Sequence, residues 1–202
     1  MYRVDNVRVQ YRYTECVFPS ITIEPYGVTH VVGDNGCGKS TLLKILAGVL
    51  SPHAGYIYYK GIPITTKKLH VLHQEVTLLL QNNHLFDRSV RENLVYPFKV
   101  RNLSYTEDDI LKALEYVGLR HNILEKYPYE LSGGEKQRVA FAVRLVVKSE
   151  VLLLDEPVAN VDSSTVIIIQ NLLKEIANHT KIIIVAHNAP WAEQLATQTI
   201  LL

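Results

Sequence analysis

The sequence predicts an α/β protein: a buried-strand core, preceded by an antiparallel β segment and interrupted by a helical insert. Three observations carry this expectation. The first 25 residues alternate β-branched and polar types, with Val4, Val7 and Val9 followed by Val17, Ile21 and Ile23, the period of half-buried strands. Short apolar runs at 28–32, 151–154 and 182–186 have the length of strands covered on both faces. From about 82 to 149 strand signals vanish, and Ile110, Leu111, Leu114 and Val117 recur at helical spacing.

In chain order, the strand 28–32 ends at Gly33, and a helix is expected over 41–50, stopped by Ser51, Pro52 and the residues after them. Strands follow at 56–59 and 76–80. Gly118 closes the helix carrying Ile110 and Leu114. After the strand 151–154 come an amphipathic helix over 164–178, through Val166, Ile169, Leu173 and Ile176, a strand at 181–186 and a short helix at 190–196. The expected organisation is one domain, with a catalytic lobe of 1–81 plus 150–202 and a helical subdomain of 82–149.

Composition narrows the function classes. Of 202 residues, 48% are hydrophobic, and 21 basic against 20 acidic residues leave a net charge of +1, which gives no electrostatic case for a nucleic-acid partner. Two cysteines, Cys16 and Cys37, exclude a disulfide scaffold and fit a reducing cytosol. The start Met1-Tyr2-Arg3-Val4-Asp5 lacks an apolar signal core, and no apolar run approaches the roughly 20 residues of a spanning helix. Work at a membrane would therefore go through a partner. His70 and His73 are spaced as a metal pair, but no cysteine or carboxylate cluster joins them.

The chemistry concentrates in a few segments. Gly33-Asp34-Asn35-Gly36-Cys37-Gly38-Lys39-Ser40, followed by Thr41, matches G-x-x-x-x-G-K-[ST] between an expected strand and an expected helix. Glycines let backbone N–H groups close on phosphate oxygens, and the helix start adds unpaired donors. Lys39 supplies a point charge for the β- and γ-phosphates, and the Ser40 hydroxyl is a Mg²⁺ ligand. The run 151–154 ends in Asp155 and Glu156, then Pro157. Asp155 is placed to hold Mg²⁺, and Glu156 to polarise the water that attacks the γ-phosphate.

Leu131-Ser132-Gly133-Gly134-Glu135-Lys136-Gln137-Arg138 separates this chain from other ATPases. Ser132 and Glu135 form a capping box, but two adjacent glycines weaken a first turn. Bare glycines there suit close approach of backbone N–H groups to an anion. The chain already has one phosphate loop, so a second anion site calls for a second subunit's nucleotide.

With this stretch the chain resembles the ABC ATPase family, whose signature reads LSGGQ where this sequence has LSGGE. The resemblance implies a P-loop NTPase (RecA-like) core with an inserted helical signature subdomain. It also implies two cassettes paired head to tail, each ATP lying between one copy's phosphate loop and the other's Ser132, Gly133 and Gly134. Gln81 resembles the Q-loop glutamine that reaches Mg²⁺ and the attacking water, and His187 resembles the switch histidine that donates to the γ-phosphate. Asp162 matches the last residue of the D-loop, where Asn160 and Val161 depart from the usual SALD. Tyr11 resembles the aromatic that stacks on adenine, with Tyr13 as its rival.

The implied activity is Mg-dependent ATP hydrolysis driving transport through a separate transmembrane permease, from the cytoplasmic face of the membrane. Lys39, Gln81, Glu156 and His187 would be catalytic, and ATP and Mg²⁺ the cofactors. The expected partners are a second cassette, as a homodimer, and the permease, with no nucleic acid. Residues 127–130 are similar to importers and related separate-subunit cassettes. Family cassettes usually continue past Leu202, so a further C-terminal segment is expected. The alternative is an ABC ATPase working on DNA or ribosomes. Such proteins carry long coiled coils between phosphate loop and signature, or two fused cassettes; here only residues 41–131 intervene.

Overall fold

The computed structural model describes residues 1–65, 68–81, 85–159, 161–187 and 189–202. Two compact units divide the chain. One comprises Met1–Leu80, Glu150–Pro157 and Ala177–Leu202; the other comprises Gln81–Ser149 and Val158–Ile176.

The first unit contains both sheets. In the antiparallel sheet β1 (Tyr2–Gln10) pairs on one side with β3 (Ile21–Ile23) and β2 (Glu15–Phe18), and on the other with β5 (Ala54–Tyr59), which carries β6 (Ile62–Pro63). Val4 and Val7 are both buried although three residues apart. A register shift between Asp5 and Arg8, with Asn6 at φ +45°, inserts the extra residue that returns Val7 to the core face. The second sheet is parallel throughout, in the order β10 (Gln198–Leu201), β4 (Val28–Val32), β9 (Lys181–Val185), β8 (Val151–Asp155), β7 (Val76–Leu79). Strands β8 and β9 are buried along their whole length, as unbroken apolar runs require.

Helix α1 (Lys39–Leu46) buries Leu42, Leu43, Ile45 and Leu46 in one core with Phe18 and Ile23 of the antiparallel sheet and Leu153 and Ile183 of the parallel one. The expected helix over 41–50 thus begins earlier and stops sooner. Ala47 is its C-cap, and Gly48 follows in the left-handed region at φ +68°, a conformation that ends a helix before the proline is reached. Helix α2 (Leu69–Glu75) was not expected; within it His73 Nε2 donates to the Ala47 carbonyl at 3.0 Å. The expected short helix near 190 is α7 (Pro190–Leu195).

The second unit is helical: α3 (Val90–Val100), α4 (Glu107–Tyr116), α5 (Gly133–Leu145) and α6 (Ser163–Ile176). Helix α5 packs against the other three and buries five consecutive residues, Val139 to Val143, as a helix surrounded by partners does. The lobe boundaries expected from sequence put 150–202 with the sheets, whereas α6 and Gln81 group with the helices. Sequence periodicity also missed α3. It runs through Pro97 and is started by a capping box between Ser89 and Glu92. Buried Asn93 donates to the carbonyls of Phe86, Arg88 and Ser89 and accepts from the Phe86 amide, binding residues 86–89 to the helix.

Lys181, at the start of β9, is almost fully buried and donates to the Tyr26 carbonyl at 2.9 Å. Burial pushes its ammonium down to about 8, against a weaker pull upward from Glu24. Between that value and the ordinary lysine value, the unfolded chain holds a proton that the folded chain has released, so stability rises with pH. Urea midpoints should therefore increase from about pH 8 to about pH 10 in the natural chain, and be flatter over that interval in Lys181→Met.

Candidate nucleotide-binding and hydrolytic site

The carboxyl ends of the parallel strands carry the chemistry. Val31 of β4 pairs with Val185 of β9, and Asp155 of β8 pairs with the same Val185. The segments after these strands, starting at Gly33, Glu156 and His187, therefore leave the sheet at one edge, where ligands of open α/β sheets bind.

The loop from Gly33 to Gly38 turns directly into α1, with Gly38 at φ +105° as its N-cap, where a side chain would be strained. The Cys37 sulfur lies 2.8 Å from where a Cβ on Gly33 would sit, so the thiol fills the inside of the loop. Lys39 is buried, and its Nζ donates to the Gly33 and Asp34 carbonyls at 2.8 Å each. The ammonium is thus held over its own loop. Ser40 Oγ donates to Asp155 Oδ1 at 3.0 Å. Asp155 is 4% exposed, and burial raises its carboxyl, opposed by the Ser40 hydrogen bond and by Lys44 and Lys39. A desolvated carboxylate beside a hydroxyl is a hard oxygen pair suited to a divalent cation such as Mg²⁺.

Glu156 has φ +49° and its amide donates to the Val185 carbonyl at 2.9 Å. A non-glycine residue in the left-handed region costs about 1 kcal/mol or more; here the strain turns the chain abruptly after Asp155. His187 is exposed just beyond β9. The preceding residue is held from another strand: buried His30 of β4 donates from Nε2 to the Ala186 carbonyl at 3.2 Å. Sequence reading passed over His30, although a histidine inside an apolar strand was a usable signal. Tyr11 and Tyr13 differ sharply: the Tyr11 hydroxyl is hydrogen-bonded to Thr41 Oγ1 at 3.0 Å, whereas Tyr13 is 83% exposed.

The remaining sequence-selected residues lie in the helical unit. Gln81 is exposed. Ser132 caps α5: the Glu135 amide donates to Ser132 Oγ at 3.2 Å, and the Ser132 amide donates to Glu135 Oε2 at 2.8 Å. Asp162 caps α6, accepting from the Thr165 amide and hydroxyl and from the Ser164 hydroxyl; these bonds pull its carboxyl far below the usual range. Asn160 lies outside the described residues.

The two signature glycines are not equivalent. A Cβ on Gly133 would meet nothing within 4 Å, whereas one on Gly134 would come within 2.9 Å of both Asp162 Oδ2 and Thr165 Oγ1. Gly134 thus also serves the close packing of α5 on the cap of α6, a reason that sequence alone did not supply.

A family model described as ABC transporter matches residues 19–159. The chain belongs to the ABC transporter family. It is an ATPase of that family. An Archaeoglobus fulgidus protein named as an ABC transporter ATP-binding protein is 38% identical over 178 residues, 85% of this chain and 73% of that protein. The tungstate uptake system ATP-binding protein TupC of Peptoclostridium acidaminophilum is 33% identical over 187 residues, 91% of this chain and 85% of its own. Among solved structures, cbiO1 from Clostridium perfringens, part of the ABC transporter complex cbiONQ, superposes with a TM-score of 0.81 at 31% identity, covering 99% of this chain and 83% of that one. A dimeric ATP-binding cassette bound to ADP and Pi gives a TM-score of 0.89 over 100% of this chain and 94% of that one; at 23% identity it speaks for the fold. Among the described residues no helix is long and apolar enough to cross a membrane.

Two substitution pairs test this geometry. Gly134→Ala should lower stability by about 1–3 kcal/mol, while Gly133→Ala should leave it unchanged or slightly raised, measured by urea unfolding. Glu156→Gly should be more stable than Glu156→Ala by about 1 kcal/mol in the same assay, because only glycine relieves the positive φ.

Proposed function

We infer that this chain is the ATP-hydrolysing subunit of an ABC transporter, closing with a second cassette around two Mg-ATP and powering a separate transmembrane permease. The observation that carries the reading is the Ser40–Asp155 pair at the foot of the Lys39 loop, the arrangement that phosphoryl transfer needs: a cation clamp beside a phosphate cradle.

In this reading the amides from Gly33 to Thr41 bind the phosphates, Lys39 leaves its loop carbonyls for the β- and γ-phosphate oxygens, and Tyr11 lies against the adenine. Thr41 holds Tyr11 by its hydroxyl and so sets the ring's distance from the loop. Ser40, Asp155 and Gln81 would hold Mg²⁺, which when bound neutralises charge on the phosphate oxygens. Glu156 orients the attacking water and takes its proton. His187 donates to the γ-phosphate. Ser132, Gly133 and Gly134 of a second copy complete the site from the far side, and Asp162 keeps Gly134 at its station on α5.

Closure excludes water and completes the set of donors, so hydrolysis waits on dimerisation. Loss of the γ-phosphate removes the shared contact and lets the copies part. The relatives' names support coupling to transport: TupC belongs to an uptake system, and cbiO1 to a transporter complex. A homodimer on the cytoplasmic face of the membrane is the simplest assembly of one such chain with a permease.

Glu156→Gln should bind ATP and accumulate as a closed dimer in millimolar Mg-ATP, with hydrolysis reduced by a factor on the order of 100 or more. Sedimentation velocity checks this, and a monomer under those conditions refutes the scheme. Ser132→Arg should still bind ATP while failing to dimerise; full ATPase activity in that variant counts against a signature acting across the interface.

A further inference from the structure

At the start of α5, two of the backbone N–H groups without helical acceptors are already occupied. The Ser132 amide donates to Glu135 Oε2, and the Glu135 amide to Ser132 Oγ. The amides of Gly133 and Gly134 are the remaining donors of the first turn. The space beside Gly133 is open. The Ser132 hydroxyl accepts from the Glu135 amide and donates to the Glu135 carboxylate. The helix tip thus offers two backbone donors to an anion.

It also holds an anion of its own. Glu135 is half-buried, and its carboxyl is pulled below the usual range, first by the Ser132 amide and then by the Ser132 hydroxyl; Lys126 and Arg138 act in the same direction. The capping geometry does not need that charge. A glutamine would accept from the Ser132 amide through its side-chain carbonyl and close the same box. The charge is therefore a separate property of this tip, held on the Ser132 amide in the same first turn as the Gly133 and Gly134 amides.

We propose that the Glu135 carboxylate is a built-in brake on ATP-driven closure: it repels the partner-held nucleotide's terminal phosphate, weakening the closed dimer and favouring its reopening. The proposal rests on the reading that two copies share each nucleotide. The brake acts on every terminal phosphate that the tip approaches, and its strength falls with ionic strength because both charges are near solvent until the copies meet. Glu135 is a positioning residue in this scheme, fixing the Ser132 hydroxyl through the box and setting the tip's affinity through its charge.

The test compares Glu156→Gln with the double variant Glu156→Gln/Glu135→Gln by sedimentation velocity over a titration of Mg-ATP. Removing the charge should lower the ATP concentration for half-maximal dimer by about two- to fivefold in low salt. The difference should shrink below about twofold in about 0.5 M salt. Nucleotide binding by the monomer, followed with a fluorescent ATP analogue, should not change. Glu135→Ala in the same background removes the charge and the cap together; it should be less stable to urea, yet still dimerise at lower ATP than its parent in low salt. Equal midpoints, a weaker dimer in Glu135→Gln, or a difference independent of salt overturn the brake. If both proteins bind the analogue but neither dimerises, the shared-nucleotide reading falls, and the brake with it.

Discussion

In the catalytic unit, parallel registry places the functional segments. Val185 of β9 lies opposite both Val31 of β4 and Asp155 of β8, so three chain segments leave the sheet at the same level. Parallel hydrogen bonding fixes that level, and complete burial of β8 and β9 removes any freedom to slip, since a one-residue shift would reverse every side chain. Shifted pairing would separate the phosphate loop from the carboxylate that Ser40 contacts. Helix α1 depends on the same registry: its apolar face is buried in a core built from both sheets, and its first turn carries Lys39 and Ser40.

Around that edge, polar groups are prepared rather than relaxed. Lys39 is folded onto its own loop, Asp155 is desolvated beside the Ser40 hydroxyl that donates to it, and Glu156 has a strained backbone. Burial of the Asp155 carboxylate and the positive φ of Glu156 each cost stability. The apolar interior supplies the compensating stability, with the apolar face of α1 and the whole of β8 and β9 buried. The helical unit shows the opposite economy: Ser89, Thr106, Ser132 and Asp162 all cap helices with full side-chain bonding. Its signature tip is closed by the reciprocal bonds of Ser132 and Glu135.

Much of the core and the site was legible in the residues. Glycines, a lysine and a hydroxyl at fixed spacing after an apolar run identify a phosphate loop, because few residue types permit that backbone and that chemistry. The run ending in Asp155 and Glu156 was legible for the same reason. The capping box at Ser132 and Glu135 was readable too, since it depends on three-residue spacing alone. Helix α3 was missed although Ser89 and Glu92 carry the same three-residue spacing: Pro97 interrupts its pattern, and the bonds of Asn93 to Phe86, Arg88 and Ser89 have no signature in composition. Helix α1 was misplaced by a few residues because Gly48, a weaker signal than Pro52, is what ends it.

By itself the sequence determined the local chemistry: which residues can cradle phosphate, which can hold a cation, where strands are buried on both faces, and which family the chain resembles. Tertiary structure decided what depends on contacts between distant segments. It tied the Tyr11 hydroxyl to Thr41 while leaving Tyr13 exposed, and grouped α6 with the signature helix. It packed Gly134 against Asp162 and Thr165, and held the residue before His187 through His30. The physical reason is range. Backbone propensity and side-chain chemistry act over a few residues of chain, whereas sheet registry and close packing join residues far apart in sequence, as at Tyr11 and Thr41 or His30 and Ala186.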